Sequence, residues 1–252
     1  MIQKVIHFCW LSDEPFPPLI KKCIDTWEKI LPDYEIIHWD TKRFDIDKVT
    51  WVKEAFSAKK YAFAADYIRF YALYHYGGIY LDSDVEMLKS FNSLLNNKTF
   101  IGYENVSGLL EPAIIGAEKG ASWCKKMMNY YESRHFNAMG MKVAPLIISE
   151  LFAEEITDYP STPVRKPTLI AGGDILLCPP EYFSPIKIDA DKNYKKTSKD
   201  TISNLRLNPN TYCIHRFNGS WVTPWRKWVY DLVDKTIGAQ TIRKMIDVLH
   251  IR

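Results

Sequence analysis

The order strand, helix, strand at the head of the chain limits its fold more than any other feature. Val5 to Trp10 is apolar and short enough for a buried strand. Pro17-Pro18 then opens an amphipathic helix, with Ile20, Cys23, Ile24, Trp27 and Ile30-Leu31 at helical spacing and Pro32 as its stop. Tyr34 to Trp39 is a second strand. This is the opening of a βαβ unit, which calls for a parallel sheet. Helical patterning returns over Val49 to Ala58 and Tyr61 to Tyr76, and Gly77-Gly78 ends it, the first glycine suiting the left-handed C′ position. Short strands are expected at Ile79 to Leu81, Val85 to Leu88, Thr99 to Tyr103 and Ala113 to Ala117. Helices follow over about 121–133 and 142–156, then strands at Thr168 to Ala171, Ile175 to Cys178 and Thr211 to His215. Alternation of this kind predicts an α/β fold.

Composition closes off other classes. The chain has 252 residues, enough to bury a full core, and 47% hydrophobic with 25% charged residues is ordinary for a globular protein. No apolar run approaches the roughly 20 residues that cross a bilayer. A net charge of +3 gives no footprint for nucleic acid, and none is expected as a partner. The five cysteines are odd in number, scattered and without a C-x-x-C pair, which argues for a reducing compartment rather than a disulfide framework. The N-terminal run has no small-residue cleavage site and reads as the first strand, so a cytoplasmic location is expected. Sequons beginning at Asn97, Asn105 and Asn218 then read as chance.

The feature that carries chemistry is Asp82-Ser83-Asp84, directly after a buried strand. Alternate residues of an extended chain share a side, and at a strand end or turn two carboxylates can converge on one cation. Mg²⁺ and Mn²⁺ prefer oxygen ligands and share them with substrate phosphates. The carboxyl edge of a parallel sheet is where open α/β folds bind ligands. A bare D-x-D also fits a solvated acidic turn. Upstream, Asp66 and Arg69 stand three apart on a helix and share a face. They suit a sugar hydroxyl and a diphosphate, or simply pair with each other.

The block Lys59-Lys60-Tyr61-Ala62-Phe63-Ala64-Ala65-Asp66-Tyr67-Ile68-Arg69, running through Gly77-Gly78-Ile79-Tyr80-Leu81-Asp82-Ser83-Asp84-Val85, resembles the DXD-containing sugar transferases of glycosyltransferase family 32. That family includes surface-polysaccharide transferases and the fungal initiating mannosyltransferases, and the spacing is also similar to that of the large glucosylating toxins. The opening residues Ile6 to Trp10, Cys23 to Trp27 and Pro32 to Ile36 resemble the family's start, and the likeness is strong over roughly residues 2–120. It implies a GT-A fold in a single domain over 1–252: a Rossmann-like nucleotide-sugar half to about 120, an acceptor side from about 121 to 224, and C-terminal helices over about 225–252. It further implies that Asp84 ligates the metal, Mn²⁺ or Mg²⁺, and that Asp82 serves it through water and holds the donor ribose. Asp66 and Arg69 would hold the donor sugar, Tyr80 would line the nucleotide beside Ser83, and Trp10 would stack on the base. His215-Arg216-Phe217-Asn218-Gly219-Ser220-Trp221 resembles a closing segment in which His215 or Ser220 completes the metal shell and Trp221 covers the diphosphate.

The activity so implied is metal-dependent transfer from a nucleotide-sugar donor, a UDP-sugar favoured, with retention, to a glycan or lipid-linked acceptor in surface polysaccharide biosynthesis such as capsule assembly. A toxin-like protein glycosyltransferase, and a nucleotide-sugar hydrolase or nucleotidyltransferase on the same carboxylates, are the alternatives. Glu104, Glu118 and Asp174 follow strand-like segments and are candidates for the acceptor side or plain surface carboxylates. The basic and aromatic C-terminal helix, with Trp225, Lys227 and Trp228, fits either peripheral contact with the inner face of the membrane or packing on the domain.

Overall fold

The computed structural model describes residues 1–105, 107–137, 142–185 and 207–217. In chain order the elements are β1 (Val5–Cys9), α1 (Pro18–Ile30), β2 (Glu35–Trp39), α2 (Thr50–Ser57), α3 (Tyr61–Tyr76), β3 (Gly78–Leu81) and β4 (Val85–Met87). Then come β5 (Thr99–Tyr103), β6 (Leu110–Ala117), α4 (Ser122–Glu132), α5 (Ala144–Glu155), β7 (Thr168–Ile170), β8 (Ile175–Cys178), α6 (Pro180–Phe183) and β9 (Cys213–His215). The C-terminal helices expected from the sequence lie outside the described residues, as do Ser220 and Trp221.

Seven strands form one sheet in the order β2-β1-β3-β6-β5-β8-β7, and β4 pairs with β9 in a second, small sheet. β1 pairs in parallel with both β2 and β3, so the expected βαβ opening is present. The whole sheet is mixed, however. β6 runs antiparallel to β3 and β5, and β7 antiparallel to β8. The α/β class is therefore as expected.

The sheet strands alternate between two cores, as a period of two requires. Tyr80, Ile101, Ile115 and Leu177 face one core with residues of α2 to α5. Their neighbours Ile79, Leu81, Phe100, Ile114 and Leu176 face the other, with Trp27 of α1 and Cys213 of β9. Helix α1 begins with Pro18, whose missing N–H would be unpaired there in any case, and buries Ile20, Cys23 and Trp27. The Trp27 indole donates to the Val85 carbonyl at 2.6 Å, and Thr26 Oγ1 accepts from the Met87 N–H at 2.9 Å. These bonds fix β4, and with it the stretch after β3, against α1.

Helix α3 is buried over most of its length, from Ala64 to Phe70 and at Ala72 and Leu73. It stops at Gly77, whose φ of 68° is positive as expected, but whose ψ of −176° is extended rather than left-handed helical. The chain goes straight from cap to strand. A side chain cannot replace either glycine. A Cβ on Gly77 would lie 2.7 Å from the Lys119 nitrogen, and one on Gly78 would lie 2.6 Å from the Val5 oxygen.

Candidate active site

The three strands β2, β1 and β3 define the position of the site. From β1 the chain leaves through α1 to β2 on one side, then returns through α2 and α3 to β3 on the other. That reversal lies at the carboxyl ends of β1 and β3, the position at which doubly wound sheets bind nucleotides. Trp10 follows β1 and Asp82 follows β3.

Asp82, Ser83 and Asp84 form a turn, not an extended run. The Asp82 N–H still donates to the Ala113 carbonyl at 2.8 Å, continuing the ladder to β6, and the Val85 N–H closes on the Asp82 carbonyl at 3.1 Å. The turn brings both carboxylates toward His215, at the end of β9. Donor atoms of Asp82, Asp84 and His215 all lie within 4.8 Å of one another. His215 Nε2 is 3.5 Å from Asp84 Oδ1, and the Arg216 N–H donates to the Asp84 carbonyl at 3.1 Å. The β4–β9 ladder, with Val85 opposite His215, holds this pair in register.

Asp66 and Arg69 project from the buried stretch of α3 into the same place. Arg69 Nη2 lies 2.9 Å from Asp66 Oδ1 and 3.4 Å from Asp82 Oδ1. Its Nη1 donates to the Pro112 carbonyl at 2.8 Å, and its guanidinium lies 4.8 Å from the centre of the Tyr80 ring. The Tyr80 hydroxyl donates to Asp82 Oδ1 at 2.9 Å. Arg69 thus bridges the helix to the D-x-D turn, which a plain intrahelical pair would not do. Side chains only 5% and 12% exposed make this an expensive place for charge: desolvation takes several kcal/mol per ion, and an apolar pair of similar volume is often as stable or more so. Stability alone gives little reason to keep it.

Electrostatics follow from that burial. Burial pushes the Asp66 carboxyl up to about 7, with Arg69 opposing the shift. Asp82 is raised by burial as well, again against Arg69. Burial alone would lower the His215 imidazole, yet Glu111 and Asp84 outweigh it and hold it well above its ordinary value. Asp82, 28% exposed, is the most exposed side chain of the group.

Trp10 is half-buried, its indole N–H held by the Glu14 carbonyl at 2.9 Å and its ring edge-on to Phe16 at 5.2 Å. Ser83 lies at the head of the turn, half-buried. The structure also brings in a residue with no sequence signal. Glu111 of β6 is completely buried, and its Oε2 lies 3.2 Å from His215 Nδ1. Glu104, at the same loop end of the β5–β6 hairpin, is pushed up to about 7 by burial and by the charge of Glu111. Glu118 and Asp174, its fellow acceptor-side candidates, lie elsewhere, paired with the N-terminal amine and with Lys98.

Two carboxylates, an imidazole and a buried arginine thus meet at the reversal point of an α/β sheet. Residues 17–101 match the family model of the glycosyltransferase sugar-binding region containing DXD motif. It is 26% identical over 204 residues to inositol phosphoceramide mannosyltransferase 1 of Schizosaccharomyces pombe, a match that covers 75% of this chain and 62% of that protein. It is 27% identical over 213 residues to an uncharacterized glycosyltransferase of Acanthamoeba polyphaga mimivirus, covering 79% of this chain and 80% of that one. Among solved structures, PaToxG glycosyltransferase aligns with a TM-score of 0.47 at 22% identity, covering 61% of this chain and 70% of that chain. The chain spans under two thirds of the first curated relatives: 62%, 34% and 28% of three inositol phosphoceramide mannosyltransferases.

Proposed function

We propose that the chain transfers a hexosyl group from a nucleoside-diphosphate sugar to a hydroxyl of a glycan or lipid-linked acceptor, with retention and with Mn²⁺ or Mg²⁺ as cofactor. One observation carries the reading: Asp82, Asp84 and His215 converge within 4.8 Å beside the buried Asp66–Arg69–Asp82 chain. Two carboxylates and an imidazole, with no thiolate among them, form a donor set that fits Mn²⁺ and Mg²⁺. Asp84 and His215 would hold the ion, with Asp82 completing the set. Once bound it would offset negative charge on the departing diphosphate.

The remaining roles belong to side chains. Arg69 is a cation fixed in advance by three oxygen partners, of Asp66, Asp82 and Pro112. Such a group stabilises growing charge on a leaving phosphate without reorganising. Asp66 accepts hydrogen bonds from donor-sugar hydroxyls. Trp10 takes the base, and Tyr80 lines the nucleotide beside Ser83. The relatives' names speak for mannose as the sugar and for an inositol-phosphate lipid headgroup as an acceptor type. Surface glycolipid or polysaccharide assembly is the corresponding process. Among the described residues no helix is long and apolar enough to cross a membrane.

The test is a panel of UDP- and GDP-hexoses with Mn²⁺ and glycan or glycolipid acceptors, read by nucleotide release and by NMR of the anomeric centre in the product. Acceptor-dependent release of the nucleoside diphosphate with a retained anomer is expected. Release that ignores acceptor would mark a hydrolase. Release of the monophosphate would mark phosphoryl-bond chemistry and overturn the reading.

A further inference from the structure

Glu111 is 0% exposed, and an ionised carboxylate tolerates that only when its oxygens are engaged. Both are. Oε1 accepts from the Ala113 backbone N–H at 3.2 Å, and Oε2 lies 3.2 Å from His215 Nδ1. The other ring nitrogen, Nε2, is the one turned to Asp84 Oδ1 at 3.5 Å. A neutral imidazole ligates a cation through one nitrogen and carries its proton on the other, and the partner of the protonated nitrogen decides which is which. With Glu111 accepting at Nδ1, the nitrogen that gives up its proton for an ion and carries the lone pair is Nε2.

The backbone around Glu111 is built for this. β5 and β6 shift register between Ile101 and Gly102, a bulge next to Glu111 and Pro112. Bulges re-aim side chains, and they tolerate a proline that cannot donate to a ladder. Pro112 meanwhile gives its carbonyl to Arg69 at 2.8 Å. Two adjacent residues of β6 thus fix one group on the metal side of the site and one on the phosphate side.

We propose that Glu111 is a positioning residue for the cation site: by accepting the Nδ1–H of His215 it fixes the tautomer and rotation of the ring that direct Nε2 at the ion held by Asp84. This rests on the metal reading given above. The competing role for Glu111 is purely structural, a tie between β6 and β9.

Binding of Mn²⁺ alone to the full chain, followed by electron paramagnetic resonance, separates the two. The proteins compared are wild type, Glu111→Gln, His215→Ala, their double variant and Asp84→Asn, each also melted in chelator. Positioning predicts a loss of Mn²⁺ affinity of about 10- to 100-fold in Glu111→Gln, and no further loss when Glu111→Gln is added to His215→Ala. Unchanged affinity with a lowered melting temperature in chelator would make Glu111 a structural tie and end the proposal, as would losses that multiply in the double variant. If Glu111→Gln does not fold, Glu111→Asp, still charged but one methylene shorter, is read against the same outcomes. Equal weak binding by wild type and Asp84→Asn would bring down the metal reading and the positioning role together. A clear difference between those two, with Glu111 variants matching wild type, would bring down the positioning role alone.

Discussion

At the scale of single residues, the proposed function gives Asp66 the donor sugar and Trp10 the base. Asp66 is buried, is pushed up to about 7 by that burial, and touches Arg69 at 2.9 Å. Asp66→Asn keeps the shape and removes the charge. It is expected to fold, to bind free nucleoside diphosphate nearly as wild type does, and to lose sugar transfer by about 100-fold or more, the scale of one transition-state contact. A variant that unfolds instead would show that the pair with Arg69 is structural. Trp10→Ala is expected to do the reverse and weaken free nucleoside diphosphate binding by about 1–3 kcal/mol, since a base loses its stacking face. Calorimetry showing equal affinity would remove Trp10 from the site. Asp66, Arg69, Asp82 and Asp84 stand out in the sequence through the block from Lys59 to Val85 that resembles a known family, and the structure brings them together. Glu111 does not stand out, because a lone glutamate before a proline has no pattern. Only the pairing of β6 with β3, more than thirty positions away in sequence, carries it to His215.

At the scale of elements, the junction of β1, β2 and α3 carries a pH dependence of its own. His7 is buried in β1, with Nε2 at 2.8 Å from the Gly77 carbonyl and Nδ1 accepting from the Trp39 indole at 3.1 Å. The first contact needs a proton on Nε2 and the second forbids one on Nδ1, so the fold demands a neutral ring. Burial is the main cause that lowers its pKa from 6.5 to about 4. The unfolded chain therefore takes up the proton first. Stability is complete above about 6.5 and is lost as pH falls toward 4 and below, by up to about 3 kcal/mol. Urea unfolding from pH 8 to pH 4 should show that slope in wild type and a flatter one in His7→Gln; parallel curves would contradict it.

The same scale shows where sequence patterns ran out. β1, α1, β2, α3 and β3 were readable because their apolar spacing is regular and proline or paired glycines mark their ends. β6 begins at Leu110, three residues before the expected Ala113, because Glu111 and Pro112 look unlike a strand and are admitted only by the bulge. β7 ends at Ile170 rather than Ala171, whose φ of 52° turns the chain into a short 3-10 turn. The last strand holds only Cys213 to His215, since Thr211 and Tyr212 bond outside the ladder, to the Asn208 and Tyr182 carbonyls.

For the whole molecule, the account is that the reversal point of the main sheet seats the site and a second small sheet delivers the third cation ligand to it. β4 and β9 have the most consequential long-range pairing, since it joins the D-x-D turn to a histidine about 130 positions later. All five cysteines are buried and free, so no covalent tie substitutes for that packing. The most direct measurement is turnover of the preferred nucleotide-sugar by wild type and Asp84→Asn, with Mn²⁺ and in excess chelator, alongside circular dichroism of both proteins. The account predicts that chelator stops wild type and Mn²⁺ restores it, while Asp84→Asn keeps its fold and falls at least about 100-fold in rate under every condition. Full turnover in excess chelator, or an Asp84→Asn protein as active as wild type, would contradict it.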